Sequence, residues 1–351
     1  MLLCRVYRWL SGRVYGLRRE NCRSNGNKPL VLALSKTKVK RQEEGAVLSL
    51  TDRLRAWWEG YDPDEIVVAR APDTVVAEEP IPEDPVVESE PDPTAWSTER
   101  RVVAEKVWGT GFTLPGHTEY ILDVVAGMML SSADSLLEIG ANLGGSTAAI
   151  VHRFGVYVTA LERDADLRRA ALNHAIKFDV DPKISFEPFD NELPRLRSDY
   201  FRGALIRETL FTIEDKEAFL KATASALKYG SQLVLLELFP DAGSDPSGDC
   251  DWTEFEGREV FSWTLKDAEK MLTNQGFLIR SADDESESYR KMAVNGWQSL
   301  LNQIDNVRDP QLAEPLITEA QRWVYRVGAV DAGRLRYGHI VAIKQWHWRI
   351  G

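Results

Sequence analysis

The chain has 351 residues, 44% of them hydrophobic and 28% charged, with a formal net charge of −11, a balance ordinary for a globular protein. The acidic excess argues against nucleic-acid binding by the body of the protein. The apolar runs fall short of the roughly 20 residues that cross a bilayer, and Cys4, Cys22 and Cys250 have neither disulfide-framework nor zinc-ligand spacing.

Charge is unevenly spread. Residues 1 to 41 hold eleven Lys or Arg and a single acid, Glu20. Residues 1–45 therefore form a basic N-terminal arm. Its opening "MLLCRVYRWLSGRVYGLRR" fits a targeting peptide, a membrane-surface or protein-contacting segment, or an unstructured arm. A cytoplasmic, reducing location is the default, with a targeted or membrane-associated one as the alternative. Residues 46–66 contain a short amphipathic helix capped by Ser49 or Thr51, with Trp57 and Trp58 expected to pack on the main domain. Residues 67–95 are rich in Pro, Glu and Asp. Such a stretch buries too little apolar surface to offset its ordering entropy and reads as a linker.

From residue 96 onward strands and helices alternate, the pattern of a Rossmann-like, doubly wound parallel sheet. "HTEYILDVVAGMML" reads as a helix, "DSLLEIG" as a buried strand, and "GGSTAAIVHRFG" as a helix closed by Gly155. The strand "VYVTALERD" and the helix "ADLRRAALNHAIKFD" follow, then the strands "KISFEPFD" and "YFRGALIRE". "DKEAFLKATASALKYG" reads as a helix ending at Gly230, and "SQLVLLELF" as a central strand. After "TLKDAEKMLTNQG" and "FLIRSADDE", residues 284 to 323 read as inserted helices over the pocket. The closing strand "YGHIVAIKQW", after so long a connection, suits an antiparallel position near one side of the sheet.

In open α/β sheets, ligands bind beyond the carboxyl ends of the strands, where the strand order reverses. Those ends carry Glu138, Glu162, Asp190, Glu208 and Glu237. The loop "LLEIGANLGGST" (Leu136 to Thr147) has Asn142 where a dinucleotide-binding turn has its second glycine. It also has Glu138 two residues before Gly140, where an acid would repel a pyrophosphate. S-adenosylmethionine has no phosphate and carries an ammonium and a sulfonium, so an acid there is tolerated and orients the loop or attracts the ammonium through water. Asn142 accepts a left-handed backbone better than most residues, and amides near Gly144 face an incoming carboxylate. Glu162, 22 residues after Gly140, is placed to accept ribose hydroxyls, and Asp190 to accept the adenine amino group. The five histidines (among them His117) show no metal spacing.

With these motifs in place, Val107 to Lys344, about two-thirds of the chain, resembles the class I S-adenosylmethionine-dependent methyltransferases, and more narrowly the phosphoethanolamine N-methyltransferase type. "VWGTGFTLPGHTE", residues 107–119, is similar to that family's lid over the cofactor. The resemblance implies a core over 134–240, a substrate side over 251–346, and an acid after the fourth strand followed four residues later by a proton-handling His. Here Glu208 keeps the acid, while Thr212 stands at the His position and reads with Asp215 as a capping box. Leu238, Phe261 and Trp263 stand where the family contacts phosphate, which disfavours a phosphobase. The expected substrate lining is His117, Trp252, Phe255, Arg258, Phe261, Trp263 and Glu237, suited to a planar, apolar or cationic group. The expected reaction is methyl transfer to a nitrogen or oxygen of a small molecule, with Glu208 or Glu237 as base. The alternative is a non-catalytic, methyltransferase-like interaction protein that binds through its N-terminal segments.

Overall fold

The computed structural model describes residues 96–189, 196–240, 252–302 and 309–346. The expectations for residues 1–45, 46–66 and 67–95 lie outside the described residues, as does Asp190. No helix among the described residues is long and apolar enough to cross a membrane.

The chain starts with α1 (Thr98–Trp108) and α2 (Thr118–Ala126), joined by the loop the sequence marks as a lid. Then β1 (Ser135–Ile139), α3 (Gly145–Phe154), β2 (Tyr157–Leu161), α4 (Ala165–Lys177), β3 (Ile184–Glu187), β4 (Phe201–Arg207), α5 (Lys216–Ala226) and β5 (Leu227–Pro240) alternate. The chain continues through α6 (Leu265–Asn274), β6 (Phe277–Asp284), α7 (Ser286–Leu301), α8 (Ala313–Asp331) and β7 (Leu335–Lys344).

The seven strands lie in the order β3-β2-β1-β4-β5-β7-β6. The first five are parallel, and β7 enters between β5 and β6 antiparallel to both. The chain winds outward from β1 to β3 and returns to β4 beside β1, so the order reverses between β1 and β4. Each strand end there opens into the space left by diverging connections.

Local chemistry fixes the elements. β1 is fully buried at Leu136, Leu137 and Ile139, as a central parallel strand covered on both faces must be. Gly144 and Gly155 bound α3 with φ of 78° and 67°, left-handed values that cost glycine little. Asp164 caps α4 by accepting from the amides of Asp166 and Leu167.

Two boundaries differ from the sequence reading. The cap of α5 is Asp215, accepting from the amide of Ala218 at 2.9 Å. Thr212 lies in the preceding short turn, with its hydroxyl donating to the Thr209 carbonyl. The helix also ends at Ala226, well before Gly230. The amides of Asp199 and Tyr200 take the carbonyls of Ser225 and Ala226, and β5 begins at Leu227, opposite Phe201. Sheet pairing outcompetes one further helical turn.

The inserted helices join α1 through indoles. Trp108 of α1 lies 4.5 Å from the ring of Trp323 on α8 and edge-on to Trp297 of α7 at 6.5 Å. A Cβ at Gly296 would meet the Trp108 ring at 2.6 Å, so glycine lets α7 approach. Trp108, Trp297 and Trp323 are all buried, each an apolar surface of roughly 150–250 Å².

Candidate active site

The turn after β1 is held from beneath. Glu138 is fully buried and accepts from the hydroxyls of Ser146 and Thr147, the latter at 2.6 Å. Burial pushes its carboxyl up while both hydroxyls oppose the shift. Its role in the protein is to pin the first turn of α3 to the end of β1. Asn142 takes φ 52°, with its amide group donating to the Gly140 carbonyl at 2.7 Å. Gly140 has φ 80°, and a Cβ there would meet the Arg207 carbonyl and Thr209 Oγ1 at 2.4 Å. The loop therefore passes against the end of β4 at backbone distance.

Glu162 follows β2 and is 7% exposed. One carboxylate oxygen accepts from the amide of Asn142 at 2.7 Å and the other from the amide of Asp164 at 3.0 Å. Burial raises its pKa against these two bonds. The carboxylate is thus oriented by two separate turns, and each oxygen keeps a further lone pair.

Residues 109–117 close over this turn. The amide of Gly145 donates to the Gly111 carbonyl at 2.8 Å, and Arg207 of β4 donates to the Pro115 carbonyl at 3.1 Å. The amide of Gly111 donates to Glu105 of α1 at 2.7 Å.

Between the strand ends and α8 lies a cavity of about 440 Å³, within the range of roughly 300–1,000 Å³ that holds small molecules. Gly140, Asn142, Glu162 and Phe189 line one part. Glu208, Arg258, Arg322 and Arg326 line another. Gly144 does not line it. It sits behind the turn, where a Cβ would meet Phe186 and Ala171.

The two candidate bases differ sharply in surroundings. Glu208 lines the cavity, in a left-handed backbone with φ 39°, a strained conformation for a non-glycine residue. Its Oε2 accepts from Arg326 at 2.6 Å, whereas Oε1 has no hydrogen-bond partner among the described residues. Arg326 also pairs with both oxygens of Glu256, at 2.6 and 3.1 Å, and donates to the Tyr289 hydroxyl. Burial pushes the Glu208 carboxyl up, against the attraction of Arg326. Glu237 is fully buried and does not line the cavity. Its carboxylate accepts from the amides of Thr209 at 2.9 Å, Leu210 at 2.6 Å and Leu238 at 2.8 Å. Burial raises its pKa to about 7 against these donors. Glu237 thus shapes the turn after β4, with its carboxylate turned to three backbone amides and not to the cavity.

Of the residues expected to touch substrate, Arg258 lines the cavity, whereas His117, Trp252, Phe261 and Trp263 do not. His117 is exposed and pairs with Glu119 at 2.7 Å. Trp252 is buried with its ring 6.1 Å from that of Phe211. Trp263 lies in the core, 4.7 Å from the ring of Phe239, with its indole N–H donating to the Leu238 carbonyl at 3.0 Å. Phe261 and Trp263 border a separate hollow around Lys216. Trp263 before α6 thus packs on β5 through Phe239 and Leu238. The side chain of Phe255 lies outside the described residues.

Sequence reasoning missed Glu319, Arg322 and Arg326 of α8. The available signal was charge at spacings of three and four on the helix face that also carries Leu316 and Trp323. All five are buried. Charged groups on a buried helix face must meet each other or a ligand. Among the described residues no group of three or more His, Cys, Asp or Glu side chains is arranged to hold a metal ion.

The sheet order, the reversal at β1/β4 and the antiparallel β7 are those of the class I S-adenosylmethionine-dependent methyltransferase fold. Within that class the chain is similar to phosphoethanolamine N-methyltransferases. It is 22% identical over 244 residues to the enzyme of Triticum aestivum, covering 68% of this chain and 47% of the relative. It is 25% identical over 191 residues to phosphoethanolamine N-methyltransferase 1 of Arabidopsis thaliana, covering 54% and 38%. The chain spans about half the length of the first of these curated relatives, 47%, and no family model matches it.

Among solved structures, phosphoethanolamine N-methyltransferase 2 of Haemonchus contortus, in complex with phosphomonomethylethanolamine and S-adenosylhomocysteine, superposes with a TM-score of 0.62 at 16% identity over 71% of this chain and 58% of that one. A putative sarcosine dimethylglycine methyltransferase from Galdieria sulphuraria gives 0.57 at 14% identity over 71% and 99%. The [4+2]-cyclase SpnF gives 0.54 at 16% identity over 70% and 92%.

Proposed function

We propose that this chain binds S-adenosylmethionine in the cavity beside Glu162 and is a methyltransferase acting on nitrogen or oxygen of a small molecule. The observation that carries this reading is the Glu162 carboxylate, aimed by the amides of Asn142 and Asp164 at the cavity wall. It suits a pair of ribose hydroxyls, as the acid ending the second strand does in this fold. The curved Gly140–Asn142 backbone leaves room beside it, and Phe189 lines the same part of the cavity.

When bound, S-adenosylmethionine supplies an already activated methyl group. The chain's part is to align the acceptor, exclude water and take a proton where the acceptor carries one. Thr113 and Leu114 of the loop and Glu319, Arg322, Trp323 and Arg326 of α8 line the cavity and would shield a bound ligand from water. Glu208 is the proposed proton acceptor, through the oxygen that Arg326 leaves without a partner. Glu237 holds the turn that carries Thr209 and stays out of the chemistry.

The Arg326–Glu208 ion pair also favours a second reading. In it, the chain's own guanidinium has taken over the acid that would serve substrate, and the fold persists as an interaction module. The cyclase of the same fold shows why fold alone does not decide between them. Calorimetric titration of the full chain with S-adenosylhomocysteine, beside Glu162→Ala, tests both. Binding in the micromolar range that the substitution abolishes supports the enzyme and directs a screen of amines, phenols and carboxylates as acceptors. A folded wild-type chain that binds nothing overturns it in favour of the second reading.

A further inference from the structure

Arg322 of α8 is 4% exposed and lines the same cavity. Its Nη1 donates to Glu319 Oε2 at 2.9 Å. That oxygen also receives Arg100 Nε at 3.0 Å, and Glu319 Oε1 receives the indole N–H of Trp323 at 3.1 Å. Glu319 therefore holds three donors, and of the Arg322 guanidinium only Nη1 is among them. Nε and Nη2 of Arg322 are both buried and have no hydrogen-bond partner among the described residues. These two nitrogens form one edge of the planar group, the edge whose parallel N–H bonds match the two oxygens of a carboxylate or phosphate. Leaving three charged N–H bonds buried without acceptors is costly. Arg326 cannot relieve this, being a cation already held by Glu208 and Glu256.

We infer that Arg322 is an oxyanion-binding residue that takes a carboxylate or phosphate of the molecule in this cavity through its Nε–Nη2 edge. The inference deepens the function proposed above and concerns the same cavity. The oxyanion has two chemical sources, the amino-acid carboxylate of the adenosyl cofactor or an anionic group on the methyl acceptor. Glu319 is then a positioning residue, fixing the plane of the guanidinium from its far side.

The test compares full-length wild type, Arg322→Met and Arg322→Lys by calorimetry. The probes are S-adenosylhomocysteine, 5′-methylthioadenosine (which lacks the amino-acid group), and inorganic phosphate and acetate with and without S-adenosylhomocysteine. If Arg322 holds the cofactor, the preference for S-adenosylhomocysteine over 5′-methylthioadenosine falls by about tenfold or more in Arg322→Met. If it holds the acceptor, that preference is unchanged. Phosphate or acetate then binds wild type, is lost in Arg322→Met and is weakened in Arg322→Lys. A merely structural arginine lowers the melting temperature and moves neither readout, and that result overturns the inference. Should Arg322→Met fail to fold, Arg322→Lys decides by the same two readouts, since it keeps the charge and loses the fork. A wild type that binds neither adenosyl compound overturns the proposed function, while the phosphate and acetate titrations of the same protein still decide on Arg322.

Discussion

His174 of α4 bridges two parts of the chain that close the site. Its Nε2 lies 3.1 Å from Glu105 of α1, and its Nδ1 lies 3.0 Å from the carbonyl of Leu143 in the turn after β1. Because Glu105 also receives the amide of Gly111, one imidazole ties the loop over residues 109–117 to the turn beneath it.

The first prediction concerns pH. The hydrogen bond to Glu105 raises the pKa of His174 above the ordinary 6.5 of a histidine, against desolvation. Burial alone would raise Glu105, but the bonds from His174 and Gly111 leave it below the ordinary 4.5 of a glutamate. A raised histidine stabilises fully below its unfolded pKa and loses that contribution as pH rises through the folded value. A depressed carboxylate stabilises above its unfolded pKa and loses its contribution as pH falls through the folded value. The pair therefore contributes most between 4.5 and 6.5. The gap in melting temperature between wild type and His174→Gln should be widest there and narrow on the alkaline side. A gap that is flat with pH would show that the pair is not coupled to folding.

Gly145→Ala tests the closeness of loop and turn. The new Cβ would meet the Gly111 carbonyl oxygen at 2.6 Å and its carbon at 2.7 Å, and both are backbone atoms with little room to give. A cost of about 1–3 kcal/mol is expected, with limited proteolysis moving to residues 109–117. Unchanged stability and cleavage would mean that the loop is not packed as described.

Glu237→Ala should destabilise without acting as the loss of a base. It strips three buried amides, of Thr209, Leu210 and Leu238, of their acceptor, at about 3 kcal/mol or more in urea unfolding. A variant as stable as wild type would return Glu237 to the list of candidate catalytic groups.

Arg326→Met leaves Glu208 and Glu256 as buried acids without their shared cation. Breaking such a pair from one side costs about 3–5 kcal/mol. The loss should be smaller at pH 5 than at pH 8, because the stranded Glu208 carboxyl, already pushed up by burial, then takes up a proton. Adding Glu208→Gln should restore part of it. An equal loss at both pH values would place the destabilisation in packing instead of charge.

The floor of the site was legible in the sequence because it depends on short-range patterns. Glu138 near the end of β1, and Gly140, Asn142 and Glu162 just after their strands, stand at fixed spacings, and parallel winding brings such strand ends together. The roof was not legible. Arg326 reaches Glu208 across 118 positions, and no local pattern announces a partner so far away. Trp252, Phe261 and Trp263 misled for a related reason. An aromatic residue near a pocket and one packed beneath it look alike until the neighbouring helix is placed. Gly230 ended a helix on paper, but the amides of Asp199 and Tyr200 claim the last carbonyls of α5 for the sheet.

The indole cluster of Trp108, Trp297 and Trp323 also closes a long stretch of chain. During synthesis the strands β1 to β5 and the turn carrying Glu162 emerge long before α8. Trp108 must therefore wait for partners on helices that follow six of the seven strands. Closing so long a loop carries an entropic cost that is recovered only when the indoles meet. The loop over residues 109–117 thus precedes the floor in the chain, and the part of the cover that α8 supplies follows it. Co-translational encounter with ligand would occur on a surface quite unlike that of the finished protein.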